Sequence, residues 1–133
     1  MRRGALPAAA LLIAATAAVA ATPDRPVRIG TAAPDLDACL SQGAVTGLDP
    51  EGDNFLTVRA GPGRDARDIG RLGPGHLVNI CEERNGWLGI VFGPAGRPDE
   101  DCGVGSPVPR PRRYEGPCHS GWVAARYIRV VAG

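Results

Sequence analysis

The segment that decides the fold is LVNICEERNGWLGIVF, which spans residues 77–92. Two apolar runs flank Asn85 and Gly86, a residue pair that readily supplies the positive φ angles of a type I′ turn. The segment therefore predicts a β-hairpin with one strand before this turn and one after it. A two-residue turn also fixes the register. The predicted cross-strand pairs are Arg84 with Trp87, Cys81 with Ile90, and Ile80 with Val91.

This register places apolar side chains on both faces of the hairpin. One face carries Val78, Ile80 and Val91, and the other carries Leu77, Cys81, Leu88 and Ile90. Neither face can remain in water, so one lines a barrel and a further segment must cover the other. The region around Cys39 is the natural cover, and a disulfide between Cys39 and Cys81 would hold it in place.

The rest of the chain predicts an all-β fold. From residue 39 onward, short apolar stretches alternate with glycine-rich turns, and no amphipathic helical period persists. The turns are expected at residues 49–52, 61–63 and 73–75. The strands are predicted over residues 43–47, 55–59, 68–72, 77–84, 87–92, 121–123 and 128–131. This pattern is typical of a β-sandwich or a small barrel.

A long loop, residues 93–117, is inserted before the last strands. It holds many prolines, an acidic triplet and three arginines, and loops longer than about 15 residues are either functional or disordered. Cys102 and Cys118 flank its second half, and a disulfide between them would contribute about 3 kcal/mol. This pairing, with Cys39 to Cys81, is one of three possible connectivities. Tyr114 either packs the loop down or presents a contact to a ligand.

The N-terminal region has the layout of a secretory signal peptide, residues 1–21. A short basic start precedes an apolar run that ends in small residues, so we expect cleavage after Ala20 or Ala21. An uncleaved membrane anchor is the alternative, because the run is near the lower length limit for a bilayer span. Residues 22–38, rich in proline and small residues, predict a linker, which leaves residues 39–133 as the folded domain.

Four cysteines behind an export signal indicate disulfides and a periplasmic or secreted protein. A metal site is the competing interpretation, but the chain has no C-x-x-C pair and no spacing of a zinc module. Removing the leader leaves 13 arginines against 14 acidic residues, a net charge of about −1. This charge gives no reason to bind nucleic acid or an anionic membrane. We expect a monomer with no stable membrane insertion after cleavage.

The sequence contains no catalytic constellation, so we predict neither an enzyme nor a cofactor. His76 follows a turn and is expected to be a solvated residue. His119 lies beside Cys118. A disulfide at Cys118 would remove this cysteine as a nucleophile. The three acids at residues 99–101 have the character of a solvated loop.

Four segments resemble the motifs of bacterial SH3 domains. They are FLTVRAGPG at residues 55–63, IGRLGPG at 69–75, VNICEERNGW at 78–87 and GWVAARYI at 121–128. The resemblance covers about residues 44–131 and implies a small SH3-like barrel. The insertion and the four cysteines depart from the pattern. The resemblance implies a binding module and does not specify its ligand.

The resemblance also suggests where a ligand would bind. Trp87 takes the position of the groove tryptophan of eukaryotic SH3 domains, and Tyr127 that of the tyrosine near the last strand. The remaining groove residues have no counterpart, so polyproline recognition is not implied. Trp87 is either a partly exposed anchor or part of the core, whereas Trp122 is expected to be buried. Arg59 either contacts a ligand or ties the structure to a nearby carboxylate or carbonyl.

Two hypotheses follow for the function. The first is a non-enzymatic module of the cell envelope that binds peptidoglycan peptides or a periplasmic protein through the face bearing Trp87 and Tyr127. The alternative is a secreted inhibitor or effector that acts through the disulfide-closed loop, residues 102–118.

Overall fold

The computed structural model describes residues 4–14 and 21–133. It is almost entirely β-structure, as predicted, with one short 3-10 helix at Ala125–Tyr127. The strands are β1 Arg28–Ile29, β2 Ser41–Val45, β3 Leu56–Arg59, β4 Asp68–Leu72, β5 Leu77–Arg84, β6 Trp87–Phe92, β7 Arg112–Arg113, β8 His119–Ala124 and β9 Ile128–Ala132. Much of the predicted signal peptide, residues 1–3 and 15–20, lies outside the described residues. Within the described part of the chain, no helix has the length and apolar character needed to cross a membrane.

Seven strands form one antiparallel sheet in the order β4-β3-β8-β6-β5-β2-β9. This is the small SH3-like barrel that the sequence predicts. A separate two-stranded sheet pairs β1 with β7, so the predicted insertion contributes a strand of its own. The N-terminal strand β1 is therefore joined by hydrogen bonds to a loop more than eighty residues away in the chain.

The β5–β6 hairpin has the predicted turn but not the predicted register throughout. Asn85 and Gly86 both have positive φ, at 48° and 84°, and Arg84 pairs with Trp87 as expected. The predicted pairs Cys81 with Ile90 and Ile80 with Val91 are wrong. A β-bulge at Cys81 leaves that residue without a partner, and Ile80 pairs with Ile90 instead. An extra residue in one strand shifts all later pairs by one position.

The shift exchanges the faces that were predicted for β6. Ile90 and Leu88 join Val78 inside the barrel, whereas Val91 lies on the outer face with Cys81. Both faces of the hairpin are apolar and covered, as the sequence indicates. Only the assignment of the β6 residues to the two faces was wrong, because a single bulge inverts side-chain alternation beyond it.

Two separate apolar clusters result, one on each side of strands β6 and β8. The barrel core consists of Val45, Leu56, Val58, Leu72, Val78, Leu88, Ile90 and Val123. The outer core consists of Val27, Ile29, Ala38, Cys39, Val91, Cys102, Val104, Val108, Tyr114 and Trp122. Trp122 and Val123 are adjacent in β8, and both are fully buried. Because successive residues of a strand point to opposite faces, one strand serves both cores.

The segment predicted as a linker, residues 22–38, is instead packed against the barrel. Val27 and Ile29 are buried in the outer core. The indole N–H of Trp122 donates to the carbonyl of Arg25 at 2.7 Å, and the Arg25 N–H donates to the carbonyl of Ala60 at 2.9 Å. The segment was misassigned because its few buried residues are isolated between prolines and small residues, without a period that indicates burial.

Both disulfides have the predicted partners, Cys39 with Cys81 and Cys102 with Cys118. The first joins the bulge in β5 to the segment that precedes β2. The second closes the insertion, whose buried residues line the outer core. The insertion is also organised locally by Glu100, whose carboxylate accepts the N–H groups of Ala95 at 3.0 Å and Arg97 at 2.8 Å. These hydrogen bonds lower the pKa of the Glu100 carboxyl.

Candidate functional site

A cleft of about 500 Å³ opens at the end of the barrel that carries the β5–β6 turn. We call it the aromatic cleft. Its lining residues come from the loop after β2, from β3 and the loop that follows it, from the first residue of β6, from the end of β8 and from the 3-10 helix. They are Gly47, Leu48, Asp49, Asp53, Phe55, Leu56, Thr57, Arg59, Arg64, Trp87, Ala124, Arg126 and Tyr127.

Trp87 and Tyr127 lie in this same cleft because of the way β6 and β8 pair. Trp87 is the first residue after the type I′ turn and pairs with Ala124, the last residue of β8. The N–H of Ala125 donates to the carbonyl of Gly86 at 2.8 Å, which fixes the start of the 3-10 helix against the turn. Tyr127 ends that helix. Both rings are half-buried, so each has an apolar side held by the domain and a side that faces the cleft.

Trp87 and Trp122 differ in how far the domain covers them. Trp122 has no exposed surface and fills the outer core. Trp87 packs against the edge of the outer core and also lines the aromatic cleft. Trp122 is therefore a core residue, and Trp87 is a half-covered surface residue.

Arg59 has the structural tie that was one of its two interpretations. Its Nη1 donates to the carbonyl of Ala66 at 3.0 Å, which holds the loop after β3 in place. Arg59 also lines the aromatic cleft, so the tie and a ligand contact are compatible. The hydrogen bond fixes the direction of the guanidinium group without neutralising its charge.

Two further arginines, Arg64 and Arg126, line the cleft beside Arg59. The guanidinium carbon of Arg126 lies 4.7 Å from the centre of the Tyr127 ring. Among residues 4–14 and 21–133, no carboxylate lies within ion-pair distance of any of the three guanidinium groups. Asp49 and Asp53 supply the carboxylates of the lining. The cleft thus combines aromatic rings with three cations and two anions.

Sequence reasoning missed Arg64, Arg126 and the two aspartates of the cleft. Arg126 lies inside the GWVAARYI motif, between Val123 and Tyr127, the two residues that match the family pattern on either side of it. Arg64 directly follows the predicted turn at residues 61–63, and Asp49 is the first residue of the predicted turn at 49–52, so their place beside turns was a usable signal. Periodicity cannot locate them, because they lie in loops or in the 3-10 helix.

Tyr114 is not part of the aromatic cleft, and its candidacy as a ligand contact is corrected. The residue is only 8% exposed. Its hydroxyl donates to the carbonyl of Cys102 at 2.7 Å and accepts the N–H of Cys118 at 2.9 Å. Burial raises the pKa of the Tyr114 phenol. Tyr114 therefore packs the insertion down and joins the two ends of the disulfide-closed loop.

His76 is also more integrated than a solvated turn residue. Its ring contacts Phe92 edge-on, with the ring centres 5.8 Å apart, and its Nε2 lies 2.9 Å from the carbonyl oxygen of Gly93. The absence of a side chain at Gly96 makes room for this ring. His76 therefore contributes to packing the first part of the insertion against the barrel.

The architecture defines a class of protein, the small SH3-like barrels, here with an aromatic cleft at one end. The sequence profile of the bacterial SH3 domain matches residues 54–129, more than half of the chain, and the chain belongs to this family. No curated protein and no solved structure matches the chain significantly. Membership of the family suggests a module that binds the cell wall or a protein. The two disulfides indicate an oxidising compartment outside the cytosol.

Proposed function

We propose that this protein is a non-enzymatic binding module of the bacterial cell envelope, and that its aromatic cleft binds short peptides of the cell wall. One observation carries the proposal: Trp87, Tyr127 and Arg59, distant in sequence, line the same cleft. Side chains that converge on one concave surface are the usual mark of a ligand site.

The size and chemistry of the cleft suit a small peptide. A volume of about 500 Å³ lies in the range of sites for small ligands. Half-covered aromatic rings supply contact area at a low entropy cost, and they often dominate the binding energy. Cell-wall peptides carry free carboxylates, which arginine binds through paired hydrogen bonds. Asp49 and Asp53 are suited to an amino group on the same ligand.

The insertion is a weaker candidate for the binding site than the aromatic cleft. Its apolar side chains, including Val104, Val108 and Tyr114, are buried in the outer core. The exposed remainder consists mainly of prolines and charged residues, which contribute little binding energy unless a partner desolvates them. The alternative of an inhibitor or effector that acts through residues 102–118 therefore has no specific observation in its favour.

The proposal is tested by measuring binding of the purified domain to cell-wall sacculi by sedimentation, and to soluble cell-wall peptides by calorimetry. Replacing Arg126 by Ala removes a cleft cation from the surface. We expect this variant to bind about tenfold more weakly, since a hydrogen bond to a charged group is worth about 1.5 kcal/mol or more. Its melting temperature should not change appreciably.

Arg112→Ala is the matched control, because this arginine is exposed on the insertion and lies outside the cleft. It should bind like the unmodified protein. If Arg112→Ala weakens binding and Arg126→Ala does not, the insertion is the site. If neither sacculi nor peptides bind, but the domain retains a periplasmic protein in an Arg126-dependent manner, the cleft is correct and the proposed ligand is wrong.

A further inference from the structure

The loop after β3 is shaped to receive the N-terminal segment. A Cβ atom at Gly61 would overlap the carbonyl of Pro23, and one at Gly63 would overlap the hydroxyl of Thr22. Only residues without side chains permit this approach, so the GPG sequence of the loop serves the docking of residues 22 and 23. None of these four residues lines the aromatic cleft.

The docked segment contacts the carboxylate of Asp65 through Thr22. The Thr22 hydroxyl donates to Asp65 Oδ1, and this hydrogen bond lowers the pKa of the Asp65 carboxyl. Two residues further on, Arg67 Nη2 lies 2.9 Å from Asp24 Oδ2. Ala21, which precedes Thr22, is exposed. The contacts with the barrel thus include Thr22, the residue that follows one of the two predicted cleavage sites.

We propose that the leader is removed between Ala21 and Thr22, and that Asp65 is the binding site for the α-ammonium group of Thr22. Hydrolysis of this peptide bond by water leaves a carboxylate on Ala21 of the released leader and an ammonium on Thr22. The nitrogen of Thr22, which lies two carbon atoms from the hydroxyl that binds Asp65, then changes from a neutral amide to a cation with three donors. Cleavage after Ala20 would place the new charge one residue farther from the carboxylate.

The anchored N-terminus stabilises a loop that also serves the aromatic cleft. The loop carries Arg64, which lines the cleft, and Ala66, whose carbonyl holds Arg59. An ion pair at Asp65 would lie between these two residues in sequence. Removal of the leader therefore adds a charge-assisted contact to the loop at the time when the protein reaches its final compartment.

The composition of the chain makes this proposal easy to test. The sequence contains no lysine, so the α-amino group is the only primary amine of the processed protein. The full chain is exported in a bacterial host, purified, and analysed by intact mass and N-terminal sequencing. Reductive methylation with ¹³C-formaldehyde then gives a single labelled amine, whose pKa is read by NMR.

We expect the processed chain to begin at Thr22. Its α-amino pKa should lie a few tenths of a pH unit above the ordinary range of about 7.7–8.0, because an exposed ion pair stabilises the ammonium modestly. Asp65→Asn should return the pKa to that range, whereas Asp35→Asn, which removes an exposed carboxylate that makes no hydrogen bond to Thr22, should leave it raised. High salt should reduce the difference.

Acetylation of the single amine supplies a second measurement that does not require a substitution. It should lower the melting temperature of the unmodified protein and have no further effect on Asp65→Asn. The proposal is overturned if the processed chain begins at another residue, Ala21 included. It is also overturned if the α-amino pKa is the same in the protein and in Asp65→Asn. Neither result depends on the ligand of the aromatic cleft.

Discussion

The barrel core and the outer core are built from different kinds of sequence. Every residue of the barrel core lies on a strand, and all but Val45 fall within the segment that matches the family. Outside β6 and β8, the outer core is built mainly from isolated residues of the N-terminal segment and the insertion, which are joined to the barrel by the two disulfides. The strands of the barrel are held by hydrogen bonds to their neighbours. Isolated apolar residues in long loops lack these bonds, so disulfides are needed to offset the conformational entropy that the loops lose on folding.

Strands β6 and β8 connect the two cores, so neither core is an independent unit. Ile90 faces the barrel and Val91 faces the outer core, and the same alternation holds for Val123 and Trp122. Without the outer core, the outer face of these strands would be an exposed apolar surface. The N-terminal segment and the insertion therefore complete the domain.

The largest expected effect is that of Trp122→Ala. It removes the largest fully buried side chain and leaves the carbonyl of Arg25 without its donor. We expect the free energy of unfolding to fall by about 3–5 kcal/mol, as for other large aromatic residues in cores. Chemical denaturation measures this loss. Val123→Ala is the comparison in the barrel core, and it should lower the free energy of unfolding less because it removes less volume. A cost of under about 1 kcal/mol for Trp122→Ala would mean that the outer core contributes little.

The disulfides should differ from each other in a predictable way. Cys39 and Cys81 are 42 residues apart, and Cys102 and Cys118 are 16 apart. Restriction of the unfolded chain gives about 4 kcal/mol for the longer loop and about 3 kcal/mol for the shorter one. Replacing each pair by serine and measuring the unfolding free energy separates the two. A greater loss from the Cys102–Cys118 pair would show that loop length does not control the stabilisation.

A smaller effect is expected from Tyr114→Phe. The change keeps the ring but leaves the carbonyl of Cys102 and the N–H of Cys118 without their partner, which should cost about 1–3 kcal/mol. Denaturation at neutral pH with Tyr127→Phe as a control measures it. A neutral result would mean that water replaces both hydrogen bonds.

The same phenol predicts a dependence of stability on alkaline pH. Burial raises the Tyr114 pKa in the folded protein, so folding favours the neutral phenol. This stabilisation is fully present below the unfolded pKa of about 10, and it is lost as the pH rises through the folded value. The melting temperature of the protein should therefore fall more steeply above pH 10 than that of Tyr114→Phe. If the melting temperatures of the protein and of Tyr114→Phe fall in parallel above pH 10, the ionisation of Tyr114 has no role in this loss of stability.

The strands could be predicted closely because alternation and turn residues are local signals. The predicted limits of β4, β5 and β6 agree with the structure. The bulge at Cys81 could not be predicted, because an extra residue leaves the apolar pattern intact and changes only the pairing. Burial of Val27 and Ile29 was missed for a related reason: each is isolated, and its partners are distant in sequence.

The candidate site was predictable only where it lies in family motifs. Trp87, Tyr127 and Arg59 were found through the resemblance, and the structure brings them together in one cleft. Asp53 and Arg64 lie in loops, whose paths depend on tertiary contacts and not on periodicity. The two alternatives for Tyr114 could not be separated from the sequence, because a single aromatic in a loop gives no sign of whether it points inward or outward, and the structure shows the packing role.

The most direct test of the account compares Trp87→Ala with Trp122→Ala for both binding and stability. Trp87→Ala should weaken binding of cell-wall peptides by about 2 kcal/mol, or about thirtyfold, and should lower the unfolding free energy less than Trp122→Ala does. Calorimetric titration and chemical denaturation of both variants give the four values needed. If Trp87→Ala binds as well as the unmodified protein, or destabilises the domain as much as Trp122→Ala, then Trp87 is a core residue and the aromatic cleft is not the binding site.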